Sequence, residues 1–276
     1  MVICHKSIVY SIIDVDNDEW IAMMILFLMT ACRAPDAPED FDALNSYLYT
    51  HFESPDRFVE EGLNNLIEWL PIHEHELKEG YRVSNLSDEA IETTGQTPPS
   101  QLIGIALGVD YNHAVDDVAF ASFSVHPEDL DPEAENYNIR TYHTDVPCFL
   151  AHECDVVQYS GEVQSFLPLG IEVISYIFSE ARWVETDWGT AYIQRRWQTQ
   201  TPEISVDWAH VNGEYGFIIT LPNQDDKDNT LRIEATWMDM SIDGLPIPED
   251  LAIQLSLGAL RDSINITDNY LDNNPQ

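Results

Sequence analysis

Between residues 155 and 240 the chain reads almost without interruption as β-strand, and the pattern then switches to one long helix. Strand-like runs over 155–159, 163–168, 171–184, 189–200, 214–221 and 230–240 are separated by turn chemistry at Gly161, Gly170, 187–189, Asn212-Gly213 and 225–229. Asn212-Gly213 is the strongest local hairpin signal, because a type I′ turn needs positive φ at both central positions. Pro246-Ile247-Pro248-Glu249-Asp250 opens the helix, with prolines at its start and acids on its positive N-terminus. Ile253, Leu257, Leu260, Ile264 and Leu271 then form an apolar stripe running to about Tyr270. A stripe this long must lie on a large apolar surface, and a sheet of about six antiparallel strands supplies one.

The first half has a different texture. Leu44, Leu48 and Phe52 predict a helix near 39–52, and Phe58, Leu63, Leu66, Ile67 and Leu70 predict a second near 56–70. Ser54-Pro55-Asp56 is its start signal. Residues 102–109 and 118–125 read as strands joined by 110–117, and residues 126–137 as an acidic, proline-bearing surface loop. The expected fold is α+β: N-terminal helices, a curved antiparallel sheet and a long C-terminal helix, in one domain over 39–276.

Charge sets the next limit. Forty-nine acids against 12 bases give a net of −37, while 44% hydrophobic residues are ample for a real core. Nucleic acid is excluded as a partner, because its affinity comes from phosphates neutralised by Lys and Arg. Acidic substrates are disfavoured on the same ground. Such a surface is soluble where salt screens it, and the composition is similar to that of halophilic proteins.

The run Ile25-Leu26-Phe27-Leu28-Met29-Thr30-Ala31-Cys32 resembles the lipobox of bacterial lipoproteins. The apolar stretch from Trp20 to Ala31 is 12 residues, short of the roughly 20 needed to span a bilayer and suited to an export signal. Asp14, Asp16, Asp18 and Glu19 stand where a positive n-region belongs, which fits a translation start at Met23 or Met24. The resemblance implies a signal segment over 1–32, lipidation at Cys32, a short linker over 33–38 and a body held by a lipid anchor at the bacterial cell envelope. In that oxidising setting Cys148 and Cys154 are expected to form a disulfide. A zinc site recruiting His143 and His152 is the alternative, and the spacing of the two cysteines does not match the usual zinc knuckle.

Arg232-Ile233-Glu234-Ala235-Thr236-Trp237-Met238-Asp239-Met240, then Asp243-Gly244-Leu245-Pro246-Ile247-Pro248, resembles the last strand and helix start of the START and polyketide-cyclase-like (SRPBCC) helix-grip superfamily. Ala191-Tyr192-Ile193-Gln194-Arg195-Arg196-Trp197 is similar to a strand of that group, and the likeness covers roughly 171–271. It implies a cavity for a hydrophobic ligand between sheet and helix. The candidate lining is Arg195 and Trp197 on one strand, Ile233 and Trp237 opposite, and Leu257 and Leu260 on the helix. Arg195 and Arg196, adjacent on a strand, point to opposite faces, so an inward arginine needs an acid such as Glu180 or Glu234, or a ligand carboxylate.

Motifs for catalysis are missing from the sequence: it contains no H-E-x-x-H, G-x-S-x-G, P-loop or G-x-G-x-x-G. His73-Glu74-His75-Glu76 places two histidines at i, i+2, which diverge on a helix. The expectation is therefore a lipid-anchored, non-enzymatic binding domain for a hydrophobic small molecule, without cofactor or metal. The alternative is an envelope interaction or structural lipoprotein with a solid core.

Overall fold

Leu44 and Leu48 lie one helical turn apart, and the chain over them is helix α1 (Phe41–Thr50). Asp40 caps it, its carboxylate accepting from the Ala43 N–H at 3.0 Å. This is a computed structural model, and it describes residues 36–130, 138–167, 171–242, 245–246 and 248–274. The lipobox candidate at Cys32 lies outside the described residues.

Helix α2 (Asp56–Glu79) follows, then the short strand β1 (Tyr81–Val83), helix α3 (Asp88–Glu92) and strand β2 (Ile103–Tyr111). Helices α4 (Val115–Phe123) and α5 (Pro127–Leu130) lead to strand β3 (Asn138–Tyr142) and helix α6 (Val146–Leu150). Five long strands then run consecutively: β4 (Val156–Leu167), β5 (Ile171–Thr186), β6 (Gly189–Ile204), β7 (Ala209–Pro222) and β8 (Thr230–Ile242). Strand β9 (Leu245–Pro246) and helix α7 (Glu249–Asn273) end the fold.

All pairings are antiparallel, in the order β1-β2-β8-β7-β6-β5-β4-β3, with β9 on β8. The β2–β8 pairing joins residues more than a hundred positions apart and makes one nine-stranded sheet of two segments. The architecture is α+β, with a curved antiparallel sheet and a long C-terminal helix, as expected. From Pro38 onward the chain forms one compact unit. No helix among the described residues is long and apolar enough to cross a membrane.

Alternation sends neighbouring strand residues to opposite faces of the sheet. One face lies under α1 and α2 and buries Phe217, Ile219, Ile233 and Trp237. Trp237 is fully buried and its indole N–H donates to the Ser84 carbonyl at 2.8 Å. The other face lies under α7, α4 and α6. There Leu260, Ile264 and Leu271 of α7 pack on Ile105, Leu107 and Tyr111, while Phe123 and Phe149 pack on Tyr159, Ala181 and Tyr192. Burying each such aliphatic or aromatic side chain contributes about 1.5–3 kcal/mol.

Four local expectations are corrected. Residues 118–125 were expected as a strand, but Val115–Phe123 is helix α4. Val115, Val118 and Ala119 have helical spacing and are all buried, and Asp116 and Asp117 sit on the positive first turn. Helix α2 does not stop at residue 70 but passes through Pro71 to Glu79. Its last turns are held by Leu77, fully buried, whose Cβ lies 3.2 Å from where a Cβ on Gly108 would sit. Asn212-Gly213 is no hairpin turn: both residues lie inside β7, at a register shift between Val211 and Gly213. Gly161 is likewise interior to β4, where a Cβ would meet Ile177 Cγ1 at 2.9 Å.

Candidate functional site

Strand β6 sets the site because its polar residues alternate between two very different surroundings. Arg195 points under α1, where it is 1% exposed. Its guanidinium donates to Glu180 at 2.6 Å, to Glu53 at 2.9 Å, and to the Tyr49 carbonyl and Thr93 Oγ1 at 3.0 Å each. Rings of Tyr49, Phe52 and Trp197 lie within cation–π distance. Burial pushes the Tyr49 phenol well up, with Arg195 opposing. Every group in this cluster has partners, and its chemistry is that of a sealed joint between helix and sheet.

Arg196 points the other way, onto the face under α7. It crosses Gly216 so closely that a Cβ there would lie 2.5 Å from its Nε. Its nearest acids are Glu234 at 3.6 Å and Glu214 at 4.0 Å. Glu234, 2% exposed, is shared with Arg232 at 3.4 Å. Arg232 also reaches Ser122 Oγ at 3.3 Å and Tyr192 Oη at 3.4 Å. Arg140, from the edge strand β3, donates to the Ser122 carbonyl and lies over the Tyr159 ring. Gln194 donates to Ser179 Oγ at 2.8 Å and Tyr159 Oη at 3.3 Å. A connected polar floor thus runs Arg140–Ser122–Arg232–Glu234–Arg196–Glu214.

This floor is under-satisfied. Nε of Arg140, Arg196 and Arg232, Oε1 of Gln198 and Oγ1 of Thr220 are buried without a hydrogen-bond partner among the described residues. Burial opposes the Arg196 charge, and Glu234 and Glu214 more than offset it, so its pKa stands above the usual arginine value. Helix α7 packs chiefly on β2 and beside α4, with little contact to β8. The floor from β8 to β4 is therefore walled by α7 along one side and by α4 and α6 at one end. Arg196 is 28% and Glu214 22% exposed, so solvent reaches them. Apolar Ile218 lies opposite Glu234 across the β7–β8 pairing, and Ile105, opposite Thr236, is packed under Leu260 of α7.

Clefts open elsewhere among the described residues. One of about 770 Å³ opens at the β1 edge against the first turn of α7. Within it Arg82 binds Glu249 and the Ser84 N–H donates to Asp42 at 2.6 Å. The second, about 210 Å³, lies at the β6–β7 turn. None of the residues lining either cleft has a buried side-chain polar atom without a partner, whereas the arginine floor has several.

Placed in the structure, the six residues singled out for a cavity divide between the faces. Arg195, Trp197, Ile233 and Trp237 share the face under α1 and α2, and Leu257 and Leu260 lie on α7 across the sheet. Arg140, Arg232 and Ser122 were missed because strands and a helix far apart in sequence bring them together. Scarcity of bases was the available signal.

Cys148 and Cys154 form a disulfide that closes the turn after α6. His73 and His75 diverge on α2, toward Glu76 and Glu79 respectively. His113, Asp268 and Asp272 have ligand atoms within 4.8 Å of one another and could hold a cation. His113 Nε2 lies 3.0 Å from Asp272, and burial with the Asp272 charge raises the Asp268 pKa.

No family model matches the chain, and no curated protein matches it either. Solved structures similar to it include norcoclaurine synthase from Thalictrum flavum, at 14% identity over 64% of this chain and 90% of that one, with a TM-score of 0.35. The ZhuI aromatase/cyclase from Streptomyces sp. R1128 is 11% identical over 62% and 92%, with a TM-score of 0.38. Human STARD10 is 7% identical over 70% and 83%, also at 0.38. The expectation of a non-enzyme is corrected here: the similar structures include a synthase and an aromatase/cyclase, so that exclusion does not stand.

Proposed function

We propose that the domain binds a hydrophobic small molecule on the sheet face beneath α7, between that helix and the arginine floor. The observation that carries this reading is the floor itself. Buried polar groups of a core are ordinarily hydrogen-bonded, whereas this face holds the Nε atoms of Arg140, Arg196 and Arg232 and Oε1 of Gln198 buried without partners among the described residues, beside Ile218. Ligand sites have this composition: mostly apolar walls with a few placed polar groups. Native mass spectrometry of the full chain, purified in detergent and high salt, tests it. Retained small-molecule mass, or saturable Nile red fluorescence after delipidation, supports the reading. Absence of both overturns it.

Attachment to a bacterial envelope membrane through Cys32 belongs to the same proposal. The Cys148–Cys154 disulfide supports it, since such bonds persist in oxidising compartments. Cys32→Ala should move the protein to soluble fractions, and continued membrane association of that variant would sink the claim.

A further inference from the structure

Three guanidiniums meet on one sheet face of a chain that holds only 12 bases against 49 acids. Their acceptors do not suffice. Arg140 donates to the Ser122 carbonyl and Arg232 to the Ser122 hydroxyl, while Arg196 and Arg232 share the single carboxylate of Glu234. Contacts to that carboxylate are long, at 3.4 and 3.6 Å, and Glu214 lies at 4.0 Å from Arg196 on the solvent side. Arg232 is 8% exposed, and the Nε of all three arginines is buried without a partner among the described residues. Three cations against two acids leave a local excess of one positive charge, in a protein whose net charge is −37.

Resting on the proposed hydrophobic-ligand site, we infer that the ligand is an amphipathic monoanion, its carboxylate held by Arg196 and Arg232 and its hydrocarbon lying along Ile218 beside α7. A planar carboxylate offers two oxygens to the forked donors of a guanidinium. One excess charge matches a monoanion better than a dianionic phosphate. The overall acidity of the surface keeps free inorganic anions at a distance, and the apolar walls supply the affinity that admits this one. Gly216 belongs to the same device: without a side chain, it lets Arg196 lie flat toward Glu234 rather than stand out from the strand.

The test is displacement of Nile red from the delipidated full chain by laurate, lauryl alcohol and lauryl phosphate. Laurate should compete at least about tenfold better than the alcohol, a difference within reach of one charge-assisted contact. Arg196→Gln should abolish that preference, and Glu234→Gln, which removes the internal competitor, should widen it. A merely structural role would lower thermal stability in both variants without moving the preference in opposite directions. Equal competition by laurate and the alcohol overturns the inference while leaving a hydrophobic site in place. Stronger competition by lauryl phosphate overturns the monoanion assignment. Failure of Nile red to bind at all removes the underlying reading, and this inference with it.

Discussion

Arg195 and Arg196 are consecutive residues of β6 whose guanidiniums lie on opposite faces of the sheet, one 2.6 Å from Glu180 beneath α1 and the other 3.6 Å from Glu234 beneath α7. The first is fully partnered and sealed; the second has partial exposure and an Nε without a partner. Strand alternation sends the two guanidiniums to opposite faces, and what packs over each face sets how fully each is partnered.

Arg195→Met is expected to destabilise the fold by about 3–5 kcal/mol, because it strands the Glu180 carboxylate in a nearly dry site. Arg195→Met with Glu180→Met should recover much of that loss, since no unpaired charge then remains. Urea unfolding of the two variants makes the comparison, and equal losses in both would refute the pairing argument.

Two glycines should respond in opposite senses. A Cβ on Gly104 would lie 2.5 Å from the buried Trp237 ring and 2.7 Å from Val83, so Gly104→Ala should cost about 1–3 kcal/mol through overpacking. Gly258, exposed on α7, has nothing within 4 Å of the same position, and Gly258→Ala should stabilise by up to about 1 kcal/mol through helix propensity. Thermal melts read both.

The Cys148–Cys154 loop spans a sequence separation of 6. Closing so short a loop constrains the unfolded chain by about 2 kcal/mol in the chain-entropy account. Cys148→Ser with Cys154→Ser should lower the denaturation midpoint accordingly, and added reductant should lower it in the wild type but not in the double variant.

Burial holds the His51 pKa below its ordinary 6.5, with Glu89 opposing more weakly. The ring stacks on Phe58 and its Nδ1 lies 3.0 Å from Ser54 Oγ. Because the unfolded chain binds this proton more readily than the folded one, stability falls as pH drops through 6.5 and the penalty is complete below the folded value. His51→Gln should flatten stability across that window in a urea series, and an unchanged slope would count against it.

Long-range order was legible where the pattern was long. The run of strands after residue 155 and the stripe Leu257–Leu260–Ile264–Leu271 yielded the sheet and α7, because burial imposes a period over many residues. Short signals failed. Asn212-Gly213 has ideal turn chemistry, yet its pairing with Asp239 holds it inside β7 as a bulge. Residues 118–125 alternate well enough for a strand, yet packing between Phe149 and α7 favours the helix. Local propensity decided neither, since a longer strand or a better-buried face outweighs it.

By itself the sequence determined the long strand run, the C-terminal helix, the acidic composition and the fact that Arg195 and Arg196 must diverge, because alternation is a property of any extended chain. Which arginine would be sealed and which left with an unpartnered Nε was decided by tertiary structure. The helices α1 and α2 bury Arg195, Phe217 and Trp237 on one face of the sheet, and α7 packs chiefly on β2 of the other. A side chain's surroundings depend on which distant element packs over it, and β6 carries no record of that choice.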